Sequence, residues 1–145
     1  MSAPLALGAL GTDDLFSCTA RNADILLAQQ VPTYAYEFHD ETAPSVLPEQ
    51  VSFPLGDAHE AELFYLFGDT PQDFLTPNQI VLSDFMLGYW TQFAKTLNPN
   101  SAGAPVWPQY SAGGSFESLI APTPENESDA SFDADHNCSS FWNTD

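Results

Sequence analysis

One stretch of the chain gathers residue types that could do chemistry: Pro54-Leu55-Gly56-Asp57-Ala58-His59-Glu60-Ala61-Glu62-Leu63-Phe64-Tyr65-Leu66-Phe67-Gly68. A histidine on a glycine-containing loop, after a strand pattern and before an apolar helix pattern, has the placement of a general base. Such an imidazole exchanges a proton near neutral pH, reaching substrate with one ring nitrogen while an acid holds the other. His59 is that residue. A lone histidine more often marks a solvated or satisfied core position, so the spacing by itself defines a place and not a reaction.

Other patterns fail on a required residue. A serine elbow needs Gly-x-Ser-x-Gly on a sharp strand-to-helix turn. The string Gly113-Gly114-Ser115-Phe116-Glu117 lacks the closing glycine and no helix pattern follows, so it reads as a turn. A zinc peptidase helix starting at His59-Glu60 would need a second histidine where Leu63 stands. Asp133, Asp135 and Asn137 match the start of a calcium loop, but Cys138 replaces its glycine and Thr144 its glutamate. There is no glycine-rich phosphate loop, and two cysteines with scattered histidines lack zinc spacing. No cofactor and no metal is implied. His39 and His136 read as exposed polar residues, and Tyr34, Tyr36, Phe38 and Trp90 as core. Asn126-Glu127-Ser128 and Asn137-Cys138-Ser139 are glycosylation acceptor patterns, relevant only in a host that glycosylates secreted proteins.

Several elements must position the histidine loop. Residues 1–11 read as an irregular, small-residue lead-in. Thr12 reads as an N-cap for a helix over 13–30, with Phe16, Ala20, Ala23 and Leu27 on its apolar face and Val31-Pro32 ending it. Thr33 to His39 alternates as a strand, 40–58 is a long loop, and 60–67 is a short helix closed by Gly68. The clearest helix is 76–97, with Thr76 as cap, Pro77 at the first helical position and Asn98-Pro99-Asn100 as the stop. Its stripe is Leu82, Met86, Tyr89, Trp90, Phe93 and Leu97. Ser118-Leu119-Ile120 reads as a short strand, 121–137 as a polar acidic segment, and the apolar end as docked. The strands are too few for an independent sheet, and the long helix expects something large beneath it.

Composition sets outer limits. The chain has 145 residues, about one domain, and 43% hydrophobic content rules out wholesale disorder. Twenty acids against two bases, Arg21 and Lys95, give a net charge of -18. Nucleic acid is excluded as a partner because two cations cannot displace a phosphate counterion layer. No membrane span is present, since no apolar run reaches about 18 residues. The N-terminus lacks a basic region and does not read as a signal peptide. Cys18 and Cys138 form one disulfide or remain two free thiols.

The histidine segment resembles the catalytic-histidine region of type-B carboxylesterases, the family of cholinesterases and para-nitrobenzyl esterases. Gly56, His59, Glu62, Phe67 and Gly68 carry the pattern Gly-x-x-His-x-x-Glu followed by an apolar stretch ending in Phe-Gly. Four more blocks agree in order: Val31 to Phe38; Leu82-Ser83-Asp84 with Tyr89 to Thr96 and Asn98-Pro99-Asn100; Trp107-Pro108-x-Tyr110; and Cys138-x-x-Phe141-Trp142. One block is weak, but five in order from about Asp13 to Trp142 are specific. Two departures stand out. Glu60 occupies a position where the family often has glycine, placing a carboxylate beside the imidazole, and one extra residue separates Cys138 from Phe141.

The resemblance implies an α/β class: the C-terminal portion of an α/β-hydrolase fold (late strands, histidine loop and covering helices), incomplete on its own. Residues 1–145 would be the C-terminal fragment of a carboxylesterase type-B domain. His59 would be the catalytic base of a serine ester hydrolase working through an acyl-enzyme, and Glu62 a helix-start or supporting residue. In such hydrolases the triad runs serine, acid, histidine along the chain, so nucleophile and acid would both precede this segment and the isolated chain would be inactive. The resemblance also implies a Cys18–Cys138 bridge. Partners would be a small ester in the full-length parent, and either the missing N-terminal portion or a second copy. The cysteine pair and the family favour an extracellular location. The alternative is a noncatalytic cholinesterase-like binding or adhesion module, or a decayed gene product.

Overall fold

The computed structural model describes residues 3–45, 47, 51–67 and 75–142. Its elements are α1 (Ala3–Thr12), a π-helical turn (Asp13–Ser17), α2 (Cys18–Ala28), β1 (Tyr36–Phe38) and α3 (Leu63–Leu66). Next come α4 (Pro77–Thr96), β2 (Ser115–Leu119), β3 (Glu125–Ser128), α5 (Asp129–Asp135) and a second π-helical turn (Cys138–Trp142). The strand order is β1-β2-β3. β1 and β2 run parallel, with Tyr36 opposite Glu117, Glu37 opposite Ser118 and Phe38 opposite Leu119. This mixture of helix and strand agrees with an α/β class. The chain divides into two compact units, residues 36–107 with 117–125, and residues 1–35 with 108–116 and 126–145.

The first unit is built on α4. Thr76 and Gln79 form a reciprocal capping box: the Gln79 N–H donates to the Thr76 hydroxyl and the Thr76 N–H to Gln79 Oε1. Pro77 opens the helix, where its missing N–H costs nothing. Gln79, Leu82, Met86 and Tyr89 recur at helical spacing and are buried. Leu82 and Met86 join Tyr65 and Leu119 in the core, with Phe38, Leu66 and Trp90 against them. The far end of the expected stripe is open, Phe93 at 41% and Leu97 at 73% exposed. Leu97 takes the left-handed conformation that ends the helix. The expected strand 33–39 forms a ladder only over Tyr36–Phe38. The expected helix end at Gly68 lies outside the described residues.

The second unit departs further from the sequence reading. The expected irregular lead-in is instead α1, because Ala and Leu are the strongest helix formers and Pro4 falls in the tolerant first turn. Thr12 therefore caps nothing: it is helical, with no side-chain cap bond. The Cys18 N–H donates to Asp13 O, five residues back, and this wider turn changes which face α2 presents. Phe16, Ala20, Ala23 and Leu27 are exposed, whereas Cys18, Arg21, Ile25 and Ala28 are buried or half-buried. Ile25 and Ala28 pack on Ala35, Tyr110 and Phe116 together with Phe132. The acidic segment is ordered, with Ser128 capping α5 by accepting from the Ser131 N–H. His136 is not an exposed residue: its Nδ1 lies 2.8 Å from Asp13 Oδ1 and its ring packs on Phe132.

Two fastenings close this unit. Asp129 accepts a fork from Arg21, Nε to Oδ1 and Nη2 to Oδ2 at 2.8 Å each. It also accepts from the Tyr110 hydroxyl at 2.6 Å. Burial alone would raise the Asp129 pKa, but Arg21 and Tyr110 outweigh it and hold the carboxyl below its ordinary value. Cys18 and Cys138 are disulfide-bonded and buried. The bridge spans 120 residues. On the chain-entropy model, closing a loop of that length stabilises by about 4–5 kcal/mol. Guanidinium unfolding with and without reductant checks this: reduction, or Cys18→Ser, should move the midpoint sharply down, and coincident midpoints would contradict it.

Candidate functional site

The support beneath the histidine turn is a buried carboxylate. At the end of β1 the chain turns through Asp40 to Thr42, and Asp40 Oδ1 accepts from the Thr42 N–H at 3.0 Å and its hydroxyl at 2.6 Å. Oδ2 accepts from the Tyr65 hydroxyl of α3 at 2.6 Å and from Gln79 Nε2 of α4 at 3.1 Å. Gln79 Nε2 also donates to Thr42 O. Burial by itself would raise the Asp40 pKa, but these donors win and hold the carboxyl below its ordinary value. The Ser83 hydroxyl adds a 2.6 Å bond to Tyr65 O. One carboxylate thus ties the strand end, α3 and the start of α4 together, through bonds to a charged acceptor of about 1.5–3 kcal/mol each.

His59 stands on the turn directly before α3. The Ala61 N–H donates to Ala58 O at 2.9 Å and the Leu63 N–H to Glu60 O at 3.1 Å, while Ala61 is buried. The turn is thereby anchored and the imidazole points outward, its side chain 68% exposed. Its Nε2 lies 4.0 Å from Glu60 Oε1. Glu62 occupies the N-cap position of α3. Burial, and then the Glu62 charge, raise the Tyr36 pKa, so that carboxylate bears on the β1 ring. Asp57, two residues before the histidine, has its pKa raised by burial, and the charges of Glu37 and Glu41 act in the same direction.

Two patterns that fail on the sequence have structural roles in the fold. Gly113-Gly114-Ser115 is a turn into β2: the Gly114 N–H donates to Ser111 O, and a Cβ at Gly114 would meet Ser111 Oγ at 2.7 Å. Ser115 therefore opens a strand, not the helix an elbow requires. Asp133 pairs with Arg21 at 3.2 Å and accepts from Ser139. Among the described residues, no helix is long and apolar enough to cross a membrane. The supporting residues Asp40, Tyr65 and Gln79 were missed as site residues. Two signals were available: Asp40-x-Thr42 is an Asx-turn pattern and Thr76-x-x-Gln79 a capping box.

Glu60 has φ 75, the left-handed region that a Cβ disfavours by about 1–2 kcal/mol. This is the position at which the resembled pattern often has glycine. Glu60→Gly should raise stability by about 1 kcal/mol, after glycine's greater unfolded entropy is subtracted. Urea midpoints of the two proteins check it, and an unchanged or lower midpoint would count against it.

Comparison with known proteins places this geometry in context. Residues 4–139 match the model of the carboxylesterase family. The chain is similar to rat liver carboxylesterase 1F (Rattus norvegicus), 32% identical over 97 residues, covering 66% of this chain and 17% of the relative. It is 39% identical over 84 residues to rat carboxylesterase 1D, covering 54% and 14%. It is 34% identical over 98 residues to the rat pyrethroid hydrolase Ces2e, covering 66% and 17%. The matched stretch thus spans about a sixth of the length of these relatives.

Proposed function

The chain belongs to the carboxylesterase family, and on that premise we propose that it carries the general base, His59, of a serine ester hydrolase. In that reaction His59 takes the serine proton as the hydroxyl attacks the ester carbonyl. It returns the proton to the leaving alcohol, then activates the water that releases the acid. The serine, the oxyanion donors and the triad acid come from the part of the family's length that this chain does not span. The 145 residues are then the C-terminal portion of an α/β-hydrolase fold, incomplete and inactive alone. The ester is the small-molecule partner, and the missing N-terminal portion the protein partner.

The observation that carries this reading is the placement of His59. It is exposed on a turn whose following helix is clamped by a buried, fully bonded carboxylate. A base needs an accessible ring on a fixed backbone. Incompleteness is supported by the apolar surface left open on each unit, Leu15, Phe16, Leu26 and Leu27 on one, Phe93 and Leu97 on the other. Glu62 is read as a supporting residue at the helix start.

Co-expression with a carboxylesterase segment that carries the serine elbow and triad acid, and stops before the strand matching Val31–Phe38, tests the proposal. The chain alone should not hydrolyse a para-nitrophenyl ester enzymatically. The combination should, and His59→Ala should lower its kcat by about 10³-fold or more. Equal turnover in the variant would overturn the assignment of His59. A stable complex with no turnover would favour the noncatalytic binding module.

A further inference from the structure

β2 is buried along almost its whole length, as suits a parallel strand covered on both faces, yet it carries an acid at its centre. Glu117 is 0% exposed. Its Oε1 lies 3.4 Å from the Tyr89 hydroxyl of α4, and its Oε2 has no hydrogen-bond partner among the described residues. The same hydroxyl lies closer to Pro105 O, at 3.0 Å. A phenol has one proton. That proton is shared between the nearer Pro105 carbonyl and Glu117 Oε1, so an ionised Glu117 would receive at most one long, shared hydrogen bond.

Among the described residues, no cation offsets the burial. β1 presents Tyr36 in register, α4 presents Tyr89, and the 105–107 segment presents the Pro105 carbonyl and Trp107, whose ring packs edge-on against Tyr89 at 5.3 Å. The charged residues of α4, Asp84 and Lys95, are exposed, as is Glu125 of β3. Burial accordingly raises the Glu117 pKa to about 7, with the Tyr89 bond acting weakly the other way. On the outer side of Tyr89, Phe85, Gly88 and the 101–104 loop line a recess of about 370 Å³ that is open to solvent.

We propose that Glu117 and Tyr89 form a proton-operated latch. With Glu117 protonated, α4 and the 105–107 segment close over β2. When the proton leaves to solvent, the carboxylate draws water in from the recess beside Tyr89 and this contact loosens. The sign follows from the raised folded value. Between the ordinary carboxylate pKa of 4.5 and about 7 the unfolded chain gives up a proton that the folded chain keeps. Stability therefore falls as pH rises through that window and levels off above it.

Hydrogen–deuterium exchange of the whole chain, corrected for intrinsic pH dependence, tests the latch in peptides covering 77–96 and 99–107. In the parent protein, corrected exchange there should rise about tenfold or more between pH 5.5 and 8.5, with a midpoint near 7. Glu117→Gln, which keeps the shape and cannot ionise, should stay at the slow level throughout. Tyr89→Phe removes the one polar partner that favours the ionised form and should move the midpoint upward. Flat exchange in the parent, the same rise in Glu117→Gln, or an unmoved midpoint in Tyr89→Phe would each overturn the proposal.

Discussion

A carboxylate taken out of water stays ionised only if donors surround it, and that constraint organises the region that bears His59. Asp40 is buried and accepts from Thr42, Tyr65 and Gln79. Each donor belongs to a different piece of backbone, the turn after β1, α3 and α4. Satisfying the charge therefore fixes all three pieces at once. The histidine turn then inherits its position from α3. Removing any one donor leaves a buried charge short of a partner, which costs more than an ordinary hydrogen bond contributes.

The same device recurs. In the second unit, Tyr110 donates to Asp129 at 2.6 Å as Tyr65 does to Asp40, with Arg21 supplying the fork. Both carboxyls are held below their ordinary pKa because their donors outweigh burial. Glu117 is the contrast. Its tyrosine stands at 3.4 Å, its second oxygen has no partner among the described residues, and burial wins. Across these three tyrosine–carboxyl pairs, the number, closeness and charge of the donors decide whether burial locks the group as an anion or leaves it carrying a proton.

The parts legible in the sequence were those fixed by local chemistry. Thr76-Pro77 and Asn98-Pro99-Asn100 bounded α4 because capping and proline geometry act over a few residues. The core face of α2 was hidden because it runs through the charged Arg21, which no apolar count scores, and because the π-helical turn shifts the phase of the pattern. α1 was missed by treating small residues as irregular when Ala and Leu favour helix. The motif singled out His59 as a candidate. Asp40 was not singled out, because its role depends on Tyr65 and Gln79, 25 and 39 residues away, and such pairing has no local signature.

The central claim is that this chain contributes a base and no nucleophile of its own. Intact-mass spectrometry of the purified chain after treatment with a fluorophosphonate probe, which labels only an activated serine, tests it most directly. The account predicts an unlabelled mass. A single adduct that disappears in His59→Ala would contradict it and would place an activated serine within these 145 residues.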